Sequence, residues 1–152
     1  MTTPAYALAG EPPAGWTVRE GSTSFMQAIE PTWFAPMDAD PLDGICGFVA
    51  EERHGNSIGV VHGGALLTLA DIALWGAARR VVGPMQAFTV TLSSEFVAGA
   101  KTGQWVCATG ELIRAGSKMM FARGVVYADG APSLVYSGTL KRISNREPYT
   151  TG

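Results

Sequence analysis

Hydrophobic residues follow two different periods along this chain, and the change between them falls at Gly83-Pro84. Before that point, from Gly63 to Ala78, nearly every residue is apolar or small, and Asp71 is the only charge in the run. A helix that is apolar all round has no face for solvent and belongs in the middle of a domain. The pattern predicts such a helix from Gly63 to Val82. After the break, Phe88, Val90, Leu92 and Phe96 alternate with Thr89, Thr91, Ser93 and Glu95, which is the period of a half-buried strand. Gln104 to Arg114, Lys118 to Ala128 and Ser133 to Ile143 read as three more strands. Tight turns at Ala115-Gly116-Ser117 and Asp129-Gly130 join them.

Upstream of the helix the pattern is weaker. Residues 1–20, with Pro4, Gly10, Pro12, Pro13 and Gly15, read as an irregular arm. Ser22 or Ser24 caps a short helix carrying Phe25, Ile29 and Trp33 and ending near Pro31. Pro36 to Asp43 is a loop, Ile45 to Arg53 a strand with Cys46, Phe48 and Ala50 on one side, and His54-Gly55-Asn56 a turn. The order is strand, long buried helix, four-stranded meander. An α+β domain in which a curved antiparallel sheet wraps the apolar helix satisfies both periods. Residues 1–44 are then an arm of that domain, 45–143 its body and 144–152 a flexible C-terminal tail. A sheet covers only one side of the helix, so the other side meets either the arm or another subunit.

Composition narrows the class. A chain of 152 residues with 47% hydrophobic and 16% charged positions is one compact, rather apolar domain, a balance that suits an obligate oligomer. A net charge of −2 without a basic cluster excludes nucleic acid as the main partner. Cys46 and Cys107 lie far apart and read as buried free thiols. No basic segment followed by an apolar run opens the chain, and Asp71 and Arg79-Arg80 argue against a membrane span, so a cytoplasmic protein is expected. His54 and His62 stand eight apart with no cysteine or carboxylate at ligand spacing, so no metal site is expected. Phosphate-cradling and dinucleotide motifs are absent too, which leaves chemistry done by side chains and water, without a cofactor.

The candidate chemistry gathers on the helix and its entry. Asp71 is either a structural carboxylate held by hydrogen bonds or a general base or nucleophile between apolar walls that raise its basicity. His62-Gly63-Gly64 opens the helix, where glycines let a ligand approach free N–H groups at its positive end. Together with the Asn56 amide these are the parts of an oxyanion site. Taken singly, His62 reads as well as an interior histidine, the glycines as packing positions and Asn56 as a turn residue. Gly55-Asn56-Ser57-Ile58-Gly59 matches a nucleophile elbow as a string, but both histidines lie within five residues of Ser57 and no triad can be built. Asp71 follows His62 by nine positions, about half a turn out of phase and roughly 13 Å along the axis. One helix does not easily bring both to one site; two antiparallel copies in a dimer do.

Asn56, His62-Gly63-Gly64 and Asp71 at these spacings resemble the hotdog-fold acyl-CoA thioesterases of the phenylacetate-pathway (PaaI-like) type, and the element order is similar over residues 45–143. The resemblance implies a homodimer with a continuous two-subunit sheet and shared active sites, assembled into a homotetramer. It implies that Gly63 N–H and Asn56 polarise the thioester carbonyl and that His62 orders the loop and the thiol side of the substrate. Asp71 of the other subunit then activates water or attacks the carbonyl, and Thr89 falls where a family hydroxyl positions that water. Thr89 reads equally as a surface strand residue. Gly64, and Arg114, Ser117 and Lys118 around Gly116, are the candidates for binding the substrate, CoA being part of it; the charges of that turn read equally as solvated. Met119, Met120, Phe121, Trp33 and Phe34 are candidates for lining an aromatic or medium-chain acyl pocket, or are core. A non-catalytic acyl-CoA or lipid-binding hotdog protein and a hotdog enoyl-thioester hydratase are the alternatives.

Overall fold

The computed structural model describes residues 2–146. The central helix α1 spans Gly63–Val82, as the apolar run predicts. It stops where the sequence loses helical geometry: Gly83 takes φ 80°, its N–H closes on Arg79 O, and Pro84 follows. Arg79 and Arg80 in the last turn complement the negative end of the helix dipole. Leu66, Leu69, Ala70, Ala73, Leu74, Gly76, Ala77 and Ala78 are buried. Each leucine contributes about 1.5–3 kcal/mol through that burial.

Among the described residues, eight strands form one antiparallel sheet: β1 (Thr17–Arg19), β2 (Thr32–Phe34), β3 (Cys46–Val49), β4 (Gln86–Phe96), β5 (Trp105–Ala108), β6 (Glu111–Ala115), β7 (Met119–Ala128) and β8 (Ala131–Ser144). The path runs β1-β2-β3-β5-β7-β8-β4, with β6 beside β7. The helix packs on one face against Cys46, Phe48, Val106, Ala108, Met120, Ala122, Leu134 and Leu140.

The expected curved sheet around one helix is present, while several local expectations are corrected. The last strands are not a simple meander, because β4 pairs with β8 at one end of the sheet and the chain then crosses to β5 in its middle. The predicted strand from Gln104 to Arg114 is two, interrupted at Thr109-Gly110, where Tyr136 Oη donates to Thr109 O at 2.7 Å. The strand expected from Ile45 to Arg53 ends at Val49 and gives way to a 3-10 turn, Glu52–His54. The short N-terminal helix is a 3-10 turn, Phe25–Ile29, capped by Ser24, whose Oγ accepts from Met26 N. Trp33 lies outside it, in β2.

The arm is less irregular than its prolines suggest. Its strands β1 and β2 extend the sheet, and its first residues cover the outer face of β5 and β7. There Trp105 Nε1 donates to Ala5 O at 3.0 Å, Trp16 meets Trp105 edge-on and Tyr6 stacks on Tyr127 at 4.1 Å. Arg80 ties the arm to the helix by donating to Ala35 O at 3.2 Å. Strand β8 runs to Ser144, and residues 147–152 of the expected tail lie outside the described residues.

Helix and sheet meet closely at Gly138 on β8, where a Cβ would stand 2.6 Å from Thr91 O and 2.8 Å from Leu74 Cδ2. The Leu74 methyl can turn aside, but the Thr91 carbonyl is backbone and gives way only if its strand moves. Gly138→Ala is expected to cost about 1–3 kcal/mol in urea unfolding, and an unchanged midpoint would show that the packing is looser.

Candidate active site

Strand β4 breaks its own alternation. Thr89 pairs with Leu140 and Thr91 with Thr139, so Val90 is an extra residue, a β-bulge. The bulge reverses the phase of the strand. Ala87 and Thr89 face the helix before it, Leu92 and Phe96 after it, and Phe88 and Val90 are about half exposed. The sequence alternation, which groups Phe88 and Val90 with Leu92, is therefore corrected by one inserted residue.

The result is a meeting of two polar side chains between helix and sheet. Thr89 Oγ1 donates to Asp71 Oδ1 at 2.6 Å, the length of a charge-assisted O–H···O⁻ bond. Thr89 is thus no free surface residue. The pair borders a cleft of about 430 Å³ lined by Asp71, Ile72 and Trp75 from α1, Ala87, Phe88 and Thr89 from β4, and Leu140 from β8. Apart from the carboxylate and the hydroxyl, every wall is apolar. Asp71 Oδ1 is engaged, and its second oxygen remains available to a water or a substrate.

At the other end of the helix the chain builds a separate cluster. His62 is the N-cap: its Nδ1 accepts from Gly64 N at 2.8 Å, which places the proton of the neutral ring on Nε2. Gly64 N–H is therefore occupied, whereas among the described residues no acceptor meets Gly63 N–H. A Cβ on Gly63 would stand 3.1 Å from the Phe96 ring. Asn56 folds its loop by accepting at Oδ1 from Ile58 N and Val60 N, which turns its amide NH₂ outward as a donor.

His54, outside the candidate set, anchors this loop. Its carbonyl accepts from His62 N at 2.8 Å, its Nδ1 accepts from Glu51 N at 3.0 Å, and its ring is 2% exposed against Phe48. Burial first, and the Arg53 charge second, hold its imidazolium pKa below the usual histidine range. The sequence signal was a histidine eight residues before the N-cap, legible only once the loop is closed.

Asp71 and Thr89 thus meet, and Asn56, His62, Gly63 and Gly64 gather, but one chain does not bring the two groups together. Nine helical residues separate them, roughly 13 Å of axis. Arg114, Ser117 and Lys118 are exposed around the β6–β7 hairpin, a third location. Two cations missed by the sequence reading stand beside it. Lys141 is opposite Met119 on β8, and Arg142 donates its N–H to Lys118 O at 2.7 Å. The proposed acyl-lining residues are elsewhere: Met120 is fully buried in the core, Phe121 borders a groove with Thr91, Ser93 and Ile113, and Trp33 packs on Trp105. No helix of the described residues is long and apolar enough to cross a membrane.

Comparison with known proteins agrees with this architecture. The family model of the thioesterase superfamily matches residues 58–134. The chain is 30% identical over 90 residues to mouse acyl-coenzyme A thioesterase 13, covering 57% of this chain and 61% of that protein. The aligned stretches span 54–61% of the length of the curated relatives matched. Among solved structures, the PaaI protein of the Escherichia coli phenylacetic acid degradation operon superposes with a TM-score of 0.63 at 18% identity, covering 68% of this chain and 74% of that one. A hypothetical thioesterase from Streptococcus pneumoniae, solved with coenzyme A, gives 0.68 at 19% identity, covering 80% of this chain and 93% of that one. The fold is the hotdog fold.

The buried His54 makes stability depend on pH with a definite sign. A folded-state pKa below the unfolded value means that the unfolded chain binds the proton first as the solution is acidified. Stability should hold above about pH 6.5, the unperturbed value, and fall as pH drops toward the lowered native pKa. Urea midpoints at pH 8 and pH 5.5 test this, and His54→Gln should flatten the difference.

Proposed function

The chain belongs to the thioesterase superfamily, and from that premise we propose that it hydrolyses an acyl-CoA thioester to a carboxylate and coenzyme A, with Asp71 as the group that activates water. The observation that carries this reading is the Asp71–Thr89 hydrogen bond at the mouth of an otherwise apolar cleft. A carboxylate in such a place is costly to keep unless it is used. Thr89 holds one oxygen and orients the other toward the water, which loses its proton to Asp71 as its oxygen attacks the thioester carbon. The C–O bond forms, the carbonyl becomes an oxyanion, and collapse expels CoA as thiolate, which takes up a proton. Direct attack by Asp71 would expel CoA thiolate and give a mixed anhydride that one water hydrolyses, and uses the same geometry.

The oxyanion needs donors, and among the described residues the one hydroxyl beside Asp71, that of Thr89, already donates to the carboxylate. Gly63 N–H and the Asn56 amide, at the positive end of the helix, are the donors of the right kind, with His62 holding the loop and Gly64 allowing close approach. Because they stand at the N-terminus of α1, roughly 13 Å along the axis from Asp71, they are supplied by a second copy lying antiparallel. Support for such a dimer comes from β4. It ends the sheet, pairs only with β8 among the described residues, and leaves Phe88, Val90, Phe96 and Val97 about half exposed. An eleven-residue open edge is a liability that a second β4 would complete. Pairing such dimers into a homotetramer is part of the same reading. The CoA nucleotide would lie against Arg114, Ser117 and Lys118, whose charges suit its phosphates.

Free-thiol release from a panel of acyl-CoAs tests the activity. Asp71→Asn should lower kcat by about 10³-fold or more, and Thr89→Ala by roughly 10- to 100-fold, while Thr89→Ser keeps the donor and most of the rate. Turnover that survives Asp71→Asn would refute the assignment. Replacing Arg114 and Lys118 together by alanine should raise KM several-fold with kcat little changed, and less so at high salt.

A further inference from the structure

The cleft beside Asp71 has a direction. Along α1 the lining side chains are Asp71, Ile72 and Trp75, and the sheet opposite supplies Thr89, Leu140 and Ala87. Asp71 and Trp75 are one helical turn apart, so the carboxylate stands at one end of the trough and the indole about 6 Å further along the axis. Ala87 and Thr89, two apart on the same side of β4, form the wall opposite the helix. Leu140, opposite Thr89 and 1% exposed, forms the floor. Trp75 is half-buried and packed on the core, so its ring is fixed against the helix. Beyond the Asp71–Thr89 pair no lining side chain carries a charge, amide or hydroxyl, so only the Trp75 indole N–H offers a polar atom.

The geometry points to Trp75 as the residue that sets the length of the acyl group. This deepens the thioesterase reading and rests on it, since it takes the reacting carbonyl to lie at Asp71. With the carbonyl there, the acyl group runs along the trough until it meets the indole. The span of roughly 6 Å accommodates one aromatic ring or a chain of about four or five methylenes. Apolar walls accept an unsubstituted ring or an alkyl chain and leave the polar substituents of a hydroxylated or carboxylated acyl group without partners. The substrate class is therefore short apolar or single-ring aromatic acyl-CoA, and long-chain acyl-CoA is refused by Trp75. Ala87 keeps the opposite wall low, and Phe88, the other large aromatic of the lining, is about half exposed on β4, which leaves the indole as the large obstacle on the helix side of the trough.

The test compares selectivity rather than rate. kcat/KM is measured for butyryl-, hexanoyl-, octanoyl-, decanoyl- and phenylacetyl-CoA with the wild type, Trp75→Phe and Trp75→Ala. The affinities of the matching non-hydrolysable acyl-CoA thioethers are measured in parallel. Folding and assembly of each variant are checked by unfolding midpoint and sedimentation, and the conservative Trp75→Phe stands in if Trp75→Ala fails to fold. The ratio of decanoyl to butyryl kcat/KM should rise by tenfold or more in Trp75→Ala and by less in Trp75→Phe, since each methylene admitted to an apolar pocket is worth about tenfold or more. The thioether affinities should shift the same way. A folded variant with the wild-type ratio, or with an equal loss on every substrate, would overturn the assignment. If the wild type releases thiol from none of the panel, the thioesterase reading fails. The thioether series then decides the length gauge by itself, a shifted length preference supporting it and an unshifted one overturning it.

Discussion

A carboxylate halfway along a helix that is apolar at nearly every other position must be held by something, and in this protein a threonine hydroxyl at 2.6 Å does so. Much of the surrounding architecture follows from that one bond. Leu66, Leu69, Ala70, Ala73 and Leu74 fix the buried face of the helix, so Asp71 stays part-buried at the border of the cleft. The strand must then carry Thr89 inward at the right level. With strict alternation from Leu92 it would have presented Val90 instead. The single extra residue of the bulge supplies the change of phase, and re-aiming a side chain next to a site is what bulges do. The same bulge pushes Phe88 and Val90 to the open side of the edge strand, so the device that sets the polar pair also exposes the surface on which a second copy would sit.

The legibility of these features in the sequence follows their physical range. The helix from Gly63 to Val82 was plain, because an unbroken apolar run of helical length opens at two glycines and a glycine-proline pair ends it. The individual later strands were legible for the same reason. Their order was not, since pairing β4 with β8 rather than β5 depends on a crossover that leaves no periodic trace. The first strands were hidden by brevity. At three residues each, β1 and β2 show no alternation, and they are held by the packing of Trp16 and Trp33 on Trp105 rather than by propensity. In the candidate site, Asp71 announced itself as a lone charge and His62-Gly63-Gly64 as a helix entry. The cleft did not: Trp75, Ala87 and Leu140 look like core residues until helix and sheet are placed together, whereas the methionines that looked adaptable enough to line a pocket include one, Met120, that is sealed in the core.

The N-terminus and the middle of α1 divide the proposed chemistry between them. The N-terminus offers backbone and side-chain donors, the middle a carboxylate and its hydroxyl, and the rigidity of a buried helix keeps them apart within a chain. A hinge would be needed to close that distance, and a helix packed along most of its length on a sheet has none. In the proposed dimer an antiparallel copy would close it, setting the donor end of one helix beside the mid-helix carboxylate of the other. In this account folding prepares half-sites, and the reaction waits for the dimer.

The most direct test mixes two inactive parents. Asn56→Ala removes a donor beside the helix N-terminus and Asp71→Ala the carboxylate from its middle, so a mixed dimer keeps one intact site if each site draws on both subunits. With subunit exchange verified by native mass spectrometry, an equimolar mixture should recover about one quarter of wild-type thiol release, since half the dimers are mixed and half of their sites are whole. Activity that stays at the level of the separate parents, with exchange complete, would place both residues in one subunit's site and contradict the account.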